Sequence, residues 1–458
     1  MNALLVVCGL GFVSLVAEIV NLKKRLHIAI IIGLVVAVGL AVADWNSKLS
    51  YYNNMLVFDQ FSLTFTTLII AVAIFWFCIS SPYFVGQPHQ TDRSALVVFT
   101  MVGGIMMVSF HNMAMLFLGI EILSISLYVL AGSNKDSFLS NEAAFKYFIM
   151  GSFATGFLLM GIALVYGATG SFDIGKITNH IAANASAMPD FFYVGLFLML
   201  VGMTFKISAV PFHFWAPDVY SGSPTVITAF MSTVVKIAAV VAFYKIFAQC
   251  FESVQTSIVN TVQVIVVLTL LVANITAVYQ NNVKRMLAYS SIAHVGYILL
   301  AFVSNGDNSE GTLFYYLFSY SAASLAAFGI LSVLESSSGS TSLEAFHGLL
   351  HRNPFASICM AIALLSLAGI PPFAGFFAKY MILGMALDGG YLKLTILAII
   401  TSLIGVYYYF RPVVVMFTQS PGTDSASLST LQKIAVGFLA LVTLVAGIFP
   451  DALINLLV

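Results

Sequence analysis

The chain has 458 residues, of which 60% are hydrophobic and only 8% are charged, and its mean hydropathy is +1.01. A soluble globular domain carries about 25% charged residues, so this composition excludes a soluble enzyme. The 18 basic residues balance 18 acidic ones, so no net basic charge is available for binding nucleic acid. The composition therefore indicates a membrane protein.

Runs of mostly apolar residues, long enough for a helix to cross a bilayer at roughly 20 residues each, recur along the chain. They lack the period-two alternation of barrel strands, and backbone groups in lipid must be satisfied within each segment. The sequence therefore predicts an all-α polytopic membrane protein with about fourteen transmembrane helices. We place these at residues 3–20, 27–43, 61–80, 94–110, 112–131, 144–167, 191–210, 224–247, 257–279, 287–303, 312–334, 355–384, 393–412 and 433–450.

The distribution of basic residues predicts the orientation. Lys23, Lys24 and Arg25 follow the first run rather than precede it, so this run is a span and not a cleaved signal peptide. With the N-terminus outside, most lysines and arginines fall on the inner side, which supports fourteen spans with both termini outside. We expect the longest polar segments to be plain connections: 335–354 and 417–430 inside, and 168–190 outside.

The chain has no recognisable redox motif. Its cysteines, Cys8, Cys78, Cys250 and Cys359, fall singly inside apolar runs, which is typical of neither a disulfide framework nor a metal cluster. A CxxC pair, a glycine-rich dinucleotide fingerprint and a phosphate loop are absent from the sequence. We therefore expect transport rather than oxidation from this chain.

Two ionisable residues lie near the centres of predicted spans without a helix break beside them. Glu121 has apolar neighbours for a full turn on either side, and Lys236 lies near the middle of the eighth span. A charge at this depth costs a few kcal/mol and marks a functional site by default. The alternative for Glu121 is a static contact with a hydroxyl of a neighbouring helix.

Two further lysines lie beside prolines inside their spans. Pro211 follows Lys206, and Pro371 and Pro372 precede Lys379. Proline removes a helical hydrogen bond, and broken helices at mid-membrane are tolerated only beside protein or a wet cavity. The two breaks, one in each half of the chain, predict two discontinuous helices in an internally repeated transporter fold. The alternative for Lys206 is a side chain that snorkels from a helix end, although residues 196–205 place that end far away.

Hydroxyl and imidazole groups share a face in two consecutive spans. These groups are Ser290, His294 and Tyr297 in one span, and Tyr316, Tyr320 and Ser324 in the next. Imidazole titrates near neutrality, so such faces can hold water and relay protons. Hydrogen bonding between helices explains the same pattern equally well.

Two other polar residues have ordinary structural explanations. Lys245 lies near the outer end of the eighth span, where a long side chain is expected to snorkel to the interface. His213 follows the first proline break, and we expect it to be a hydrogen-bonded loop histidine rather than a functional group.

Five stretches resemble the antiporter-like membrane subunits of respiratory complex I. They are FLGIEILSISLYVLAG (117–132), AAFKYFIMGSFATG (143–156), FKISAVPFHFWAPDVYSGSPTVITAFMSTVVK (205–236), KRMLAYSSIAHVGY (284–297) and LSLAGIPPFAGFFAKY (365–380). The resemblance covers residues 90–412. One departure is Phe373, where a small hydroxyl residue is expected after the double proline.

The resemblance implies a proton-translocating subunit of NADH:quinone oxidoreductase with two inverted five-helix repeats. In that family's pattern, Glu121 and Lys206 form an acid–lysine pair, Lys236 is the central lysine and Lys379 is the terminal lysine facing the outer exit. His294 is a weaker candidate. The implied boundaries within one membrane domain are 1–90 for the N-terminal helices, 91–250 and 251–412 for the repeats, and 413–458 for the C-terminal helix.

The resemblance also implies what surrounds the chain. NADH, FMN, iron–sulfur clusters and quinone belong to other subunits, and this chain binds no cofactor. Its partners are other membrane subunits of complex I and the lipid bilayer. The full fourteen spans favour a bacterial plasma membrane over an organellar one. The alternatives are a subunit of a cation/proton antiporter, a subunit of a proton-pumping membrane hydrogenase, and an inert anchoring bundle, which the central lysines disfavour.

Overall fold

The computed structural model describes residues 1–304, 306, 308–418 and 427–454, and most of them are helical. The helices are α1 Asn2–Val16, α2 Lys23–Ala43, α3 Gln60–Phe84, α4 Gln90–Ser109, α5 Met113–Ala131, α6 Phe138–Thr169, α7 Ile174–Asn184, α8 Asp190–Ile207, α9 Trp215–Gly222, α10 Thr225–Ser232, α11 Val234–Tyr244, α12 Gln255–Val278, α13 Val283–Ser304, α14 Ser309–Ser338, α15 Leu349–Arg352, α16 Pro354–Ala368, α17 Ala374–Asp388, α18 Leu392–Phe417, α19 Thr430–Ile448 and α20 Asp451–Ile454. A π-helical stretch, Lys245–Cys250, continues α11. Strands β1 Leu49–Tyr51 and β2 Leu56–Phe58 form an antiparallel hairpin.

The predicted membrane-spanning architecture is confirmed. Among the described residues, 12 helical segments are long and apolar enough to cross a membrane. The other two predicted spans correspond to the shorter apolar helix α1 and to the broken pair α16 and α17. Large apolar side chains such as Ile28, Phe153 and Leu403 are exposed on α2, α6 and α18. An apolar exterior of this extent is what lipid contact requires.

The chain forms two compact units that interleave along the sequence. Unit 1 comprises Met1–Ile74, Phe84–Trp215 and Val234–Ile265. Unit 2 comprises Phe75–Tyr83, Ala216–Thr233 and Val266–Val458. Within unit 1, α6 packs against α8, and α4 packs against α5 and α11; within unit 2, α14 packs against α16, α17 and α19. The predicted repeat boundaries and the inversion of the repeats stay predictions.

The first predicted break is present, but it begins before Pro211. Helix α8 ends at Ile207, and Ser208 adopts the left-handed conformation with φ +66°. The indole Nε1 of Trp215 donates to the Phe205 carbonyl at 3.1 Å, which satisfies one of the carbonyls that a helix end leaves without a partner. Lys206 therefore lies in the last turn of α8, and the expectation that the helix end is distant from it was wrong.

The second predicted break separates α16 from α17. Gly369 ends α16 at φ +81°, a conformation that L-residues other than glycine rarely adopt. Helix α17 then packs directly against the backbone of α16, since a Cβ built at Gly375 would lie 1.8 Å from the Ser366 carbonyl oxygen. This close approach sets the position of Lys379, which follows one turn later on the same helix.

A third interruption was not predicted. Helix α10 ends at Ser232, Thr233 has φ −113° and ψ −81°, and α11 begins at Val234. The Ser232 and Thr233 hydroxyls both donate to the Ala229 carbonyl, at 3.0 and 2.7 Å. Such side-chain bonds compete with the helical ladder. Lys236 consequently lies in the first turn of α11, although the segment contains no proline or glycine to predict a break.

Two predicted plain connections contain short elements instead. Segment 168–190 holds α7, whose side chains Ile174, Ile177 and Ile181 are buried along one face, so the expectation of a simple loop was wrong there. Segment 335–354 holds a 3-10 turn, Leu343–Phe346, and α15. Most of segment 417–430 lies outside the described residues.

We predict that Gly375→Ala destabilises the protein more than Gly384→Ala does. The added methyl would clash with the Ser366 carbonyl, whereas a Cβ at Gly384 on the same helix meets nothing within 4 Å. Overpacking costs about 1–3 kcal/mol. Thermal unfolding of the purified variants measures the difference, and equal midpoints for the two would show that α17 does not pack as described.

Candidate functional site

Lys206 is buried, and it is anchored to helix α5 by a hydroxyl. Its Nζ donates to Ser124 Oγ at 2.7 Å, and Ser124 in turn donates to the Ile120 carbonyl at 2.5 Å. The last turn of α8 contributes carbonyl groups whose partial negative charge favours a cation. Among the described residues, Lys206 has no carboxylate within ion-pairing distance.

Glu121 lies one helical turn before Ser124 on α5. Its Oε1 atom is buried and has no hydrogen-bond partner, and the carboxylate and Lys206 interact electrostatically. A buried carboxylate oxygen without a hydrogen-bond partner is costly. The acid and the lysine are thus neighbours, but Lys206 bonds to Ser124 instead of closing the pair.

A small cavity adjoins Lys206 and Ser124. Tyr128, Tyr147 and Thr155 also line it, and it leaves about 10 Å³ for the centre of a water molecule. That is about the room one water needs. Hydroxyl groups and an amine supply the polar partners that such a water requires.

Lys236 is buried in unit 1, with an exposed fraction of 3%. Helix α11 packs against α4 and α8, and the contact with α4 is close because a Cβ built at Gly104 would lie 3.4 Å from Ala238 Cβ. The side chain therefore lies in the protein interior rather than at a lipid interface, as predicted.

His294 in unit 2 is held between two tyrosines. Its Nδ1 lies 2.7 Å from Tyr316 Oη and its Nε2 lies 3.2 Å from Tyr409 Oη. Tyr409 also shares a hydrogen bond with Ser290. Because a neutral imidazole donates at one nitrogen and accepts at the other, this arrangement can pass a proton from one hydroxyl to the next.

Lys379 is buried in unit 2 among neutral acceptors. Its Nζ donates to the Ala368 carbonyl at 2.9 Å and to Ser402 Oγ at 3.1 Å, and it lies 5.0 Å from the centroid of the Tyr297 ring. The Ala368 carbonyl is available because α16 ends there. As for Lys206, no described carboxylate forms an ion pair with Lys379.

Tyr297 connects the histidine and the lysine of unit 2. Its ring centroid lies 6.1 Å from that of His294, and its hydroxyl lies 3.4 Å from Thr401 Oγ1. A second small cavity, again with about 10 Å³ for a water centre, is lined by His294, Tyr316, Tyr320 and Ser366 among others. The polar faces predicted on α13 and α14 therefore meet each other, with room for about one water.

Sequence reasoning missed the residues that α18 contributes. Tyr409 and Ser402 hold His294 and Lys379, and Tyr408 donates to Asn274 Oδ1 at 3.1 Å. Thr401 and Tyr408, like Ser402 and Tyr409, are two helical turns apart. That spacing, inside an otherwise apolar run, was the signal available in the sequence.

Of two expectations about single residues, the one for Lys245 was wrong. Lys245 does not snorkel: its exposed fraction is 6%, and its Nζ lies 3.5 Å from the Val108 carbonyl oxygen and 5.0 Å from the centroid of the Phe110 ring. His213 is a hydrogen-bonded loop histidine, as expected: it lies between α8 and α9 and bonds to the Pro211 backbone, although its buried Nδ1 has no partner.

A multi-span helical protein with protonatable side chains buried beside helix breaks belongs to the class of membrane transporters. Residues 111–405 match the family model described as NADH:quinone oxidoreductase/Mrp antiporter, TM, and the chain belongs to this family. It is 46% identical to NADH-quinone oxidoreductase subunit N of Cytophaga hutchinsonii over 100% of this chain and 99% of that protein.

Solved structures agree with this assignment. A chain of respiratory complex I from Thermus thermophilus with bound aureothin matches with a TM-score of 0.86 and 30% identity, over 99% of this chain and 98% of that one. A chain of an archaeal membrane-bound sulfane sulfur reductase matches with a TM-score of 0.91 and 25% identity, over 99% of this chain and 95% of that one.

We predict that Tyr409→Phe lowers thermal stability while Tyr407→Phe does not. The first change removes a buried hydroxyl that bonds to Ser290 and His294, whereas Tyr407 is 58% exposed. Hydrogen bonds between helices in membranes contribute about 0.6 kcal/mol on average and at most about 1.7 kcal/mol. Thermal unfolding of the two purified variants tests this, and indistinguishable midpoints would contradict the network.

Proposed function

We propose that this chain is a proton-translocating membrane subunit of an NADH:quinone oxidoreductase, in which Glu121, Lys206, Lys236, Lys379 and His294 carry the protons. The observation that supports it most strongly is that Lys206 and Lys379 are buried at helix breaks with only neutral hydrogen-bond partners. An ammonium buried without a counter-ion is costly. Each lysine therefore holds its proton only as long as nearby charges favour it.

In unit 1, the distance between Glu121 and Lys206 is the variable that controls proton transfer. Unit charges at an effective dielectric of about 20 attract by about 1.7 kcal/mol at 10 Å and by about 4 kcal/mol at 4 Å. The closed pair would thus stabilise protonated Lys206 by about 2.5 kcal/mol more than the open pair does. A free-energy difference of 1.36 kcal/mol already changes the protonated fraction tenfold. Opening releases the proton toward Lys236.

In unit 2, protons reach Lys379 by way of the histidine network. His294 accepts from one tyrosine and donates to the other, and the cavity beside it leads from Tyr316 and Tyr320 toward Ser366. Lys379 takes up a proton on Nζ and later releases it to the outer side. The terminal position of Lys379 follows from the family pattern.

The redox chemistry takes place outside this chain. We infer that NADH, FMN, iron–sulfur clusters and quinone are bound by other subunits, and that neighbouring membrane subunits transmit the energy of quinone reduction to the Glu121–Lys206 pair. The complex would lie in a bacterial plasma membrane, with both termini of this chain on the outer side.

We predict that Glu121→Gln and Lys206→Met each reduce the protons pumped per NADH oxidised, in vesicles containing the assembled complex. Removing either charge abolishes the difference in attraction, about 2.5 kcal/mol, between the closed and the open pair. Proton transfer should therefore fall more than tenfold. Glu121→Asp should keep part of the activity. The ratio of proton uptake, read with a pH-sensitive dye, to NADH oxidation is the measurement.

Glu142→Gln is the matched control, because Glu142 is partly exposed and forms an ion pair with Lys146 at 2.8 Å on the surface of α6. It should pump as the unmodified protein does. A normal proton-to-NADH ratio in both Glu121→Gln and Lys206→Met would refute the assignment. Proton movement that requires sodium and proceeds without NADH would favour the antiporter alternative.

A further inference from the structure

Unit 1 contains a third buried lysine besides Lys206 and Lys236. Lys245 opens the π-helical stretch Lys245–Cys250, and its amine lies near the Val108 carbonyl at the end of α4 and over the Phe110 ring. Single π-helical turns are rare and occur frequently at functional sites. Here the turn places a lysine amine inside the protein, at the point where α4 gives way to the loop that carries His111.

His111 is fixed in place by hydrogen bonds on both sides of its backbone. Its N–H donates to the Met55 carbonyl at 2.9 Å, and its carbonyl accepts from the Ile174 N–H at 3.0 Å. A third bond, from Thr178 Oγ1 to the Cys250 carbonyl at 3.1 Å, ties α7 to the π-helical stretch. The hairpin, α7 and the residues after Lys245 thus hold the histidine loop in one position.

A carboxylate lies near the imidazole of His111. A Cβ built at Gly175 would lie 3.6 Å from His111 Nε2 and 3.4 Å from Asp173 Oδ1, so both atoms border the same small space beside a glycine. Asp173 also caps α7, accepting from the Lys176 N–H at 3.0 Å. His111 is half-buried, whereas Lys245 is buried, and the two groups interact electrostatically.

The charges around His111 make its protonation depend on Lys245. Burial lowers the pKa of His111 below its ordinary value, and Lys245 lowers the pKa further. Asp173 and Asp59 act in the opposite direction, and Lys48 in the same direction as Lys245. A proton on Lys245 therefore disfavours a second proton on His111. This coupling is expected of two neighbouring groups that pass a proton between them.

All of these groups belong to one end of unit 1. The hairpin, the His111 loop and α7 are the connections that the predicted topology places on the outer side. Neither Lys245 nor His111 is needed for the transfer between Glu121, Lys206 and Lys236, which leaves their burial and mutual arrangement unexplained by that route.

We propose that Lys245 and His111 form a proton-exchange site at the outer end of unit 1. The ammonium of Lys245 gives a proton to the imidazole, leaving a neutral amine, and the imidazolium then releases the proton to water beside Asp173. The reverse sequence takes up a proton from the outer side. This inference rests on the proposed function, because it supplies the translocation route with an outer exchange point within unit 1.

The test compares Lys245→Arg, Lys245→Met and His111→Gln in vesicles containing the assembled complex, at varied pH of the outer compartment. Arginine keeps the positive charge but does not give up its proton, so both lysine changes should lower the protons pumped per NADH to a similar extent. His111→Gln should abolish the dependence of pumping on outer pH. Lys176→Met is the control, since Lys176 is exposed at the same end on α7.

The direction of the pH shift adds an independent readout. Because the Lys245 charge lowers the pKa of His111, Lys245→Met should raise the midpoint of the outer-pH dependence. Normal pumping in Lys245→Arg would show that a fixed cation suffices and would overturn the proposal. So would an unchanged outer-pH dependence in His111→Gln.

Failure of this inference can be told apart from failure of the proposed function. If the Lys245 and His111 variants pump normally while Glu121→Gln and Lys206→Met do not, only the outer exchange site is refuted. If all of them pump normally, the proposed function is refuted as well. Native gel electrophoresis verifies that each variant assembles into the complex. If a Lys245 variant does not assemble, His111→Gln alone tests the outer exchange site, because His111 lies in a loop and is only half-buried.

Discussion

The structure depends on a single constraint, namely that Lys206 and Lys379 are enclosed in an apolar protein and no described carboxylate forms an ion pair with either of them. Lys206 bonds to a serine hydroxyl, and Lys379 bonds to a backbone carbonyl and a second serine. Neutral acceptors solvate an ammonium enough for it to exist, yet they do not fix its charge as an ion pair would.

Helix breaks are what make these positions possible. A helix interior offers no free carbonyl, but the ends of α8 and α16 expose carbonyls at the depth where Lys206 and Lys379 lie. Trp215 and Gly369 stabilise the two ends in different ways, through an indole hydrogen bond to Phe205 and through a left-handed backbone.

Much of this architecture could be predicted, because a charge or a proline inside a long apolar run is conspicuous. Glu121, Lys206, Lys236 and Lys379 were identified in that way, and so were both proline-associated breaks. The interruption at Thr233 could not be, since it arises from two hydroxyls competing for one carbonyl and leaves no proline or glycine in the sequence. Lys245 was misjudged because the sequence does not reveal the π-helical turn that directs its side chain inward.

We expect the buried polar side chains of each unit to contact water rather than to be excluded from it. A density map of the assembled complex at a resolution that shows water molecules tests this most directly. Ordered water is expected in the cavity beside Lys206 and Ser124, and in the cavity between His294 and Ser366. Two dry cavities, with Glu121 turned away from Lys206, would contradict it.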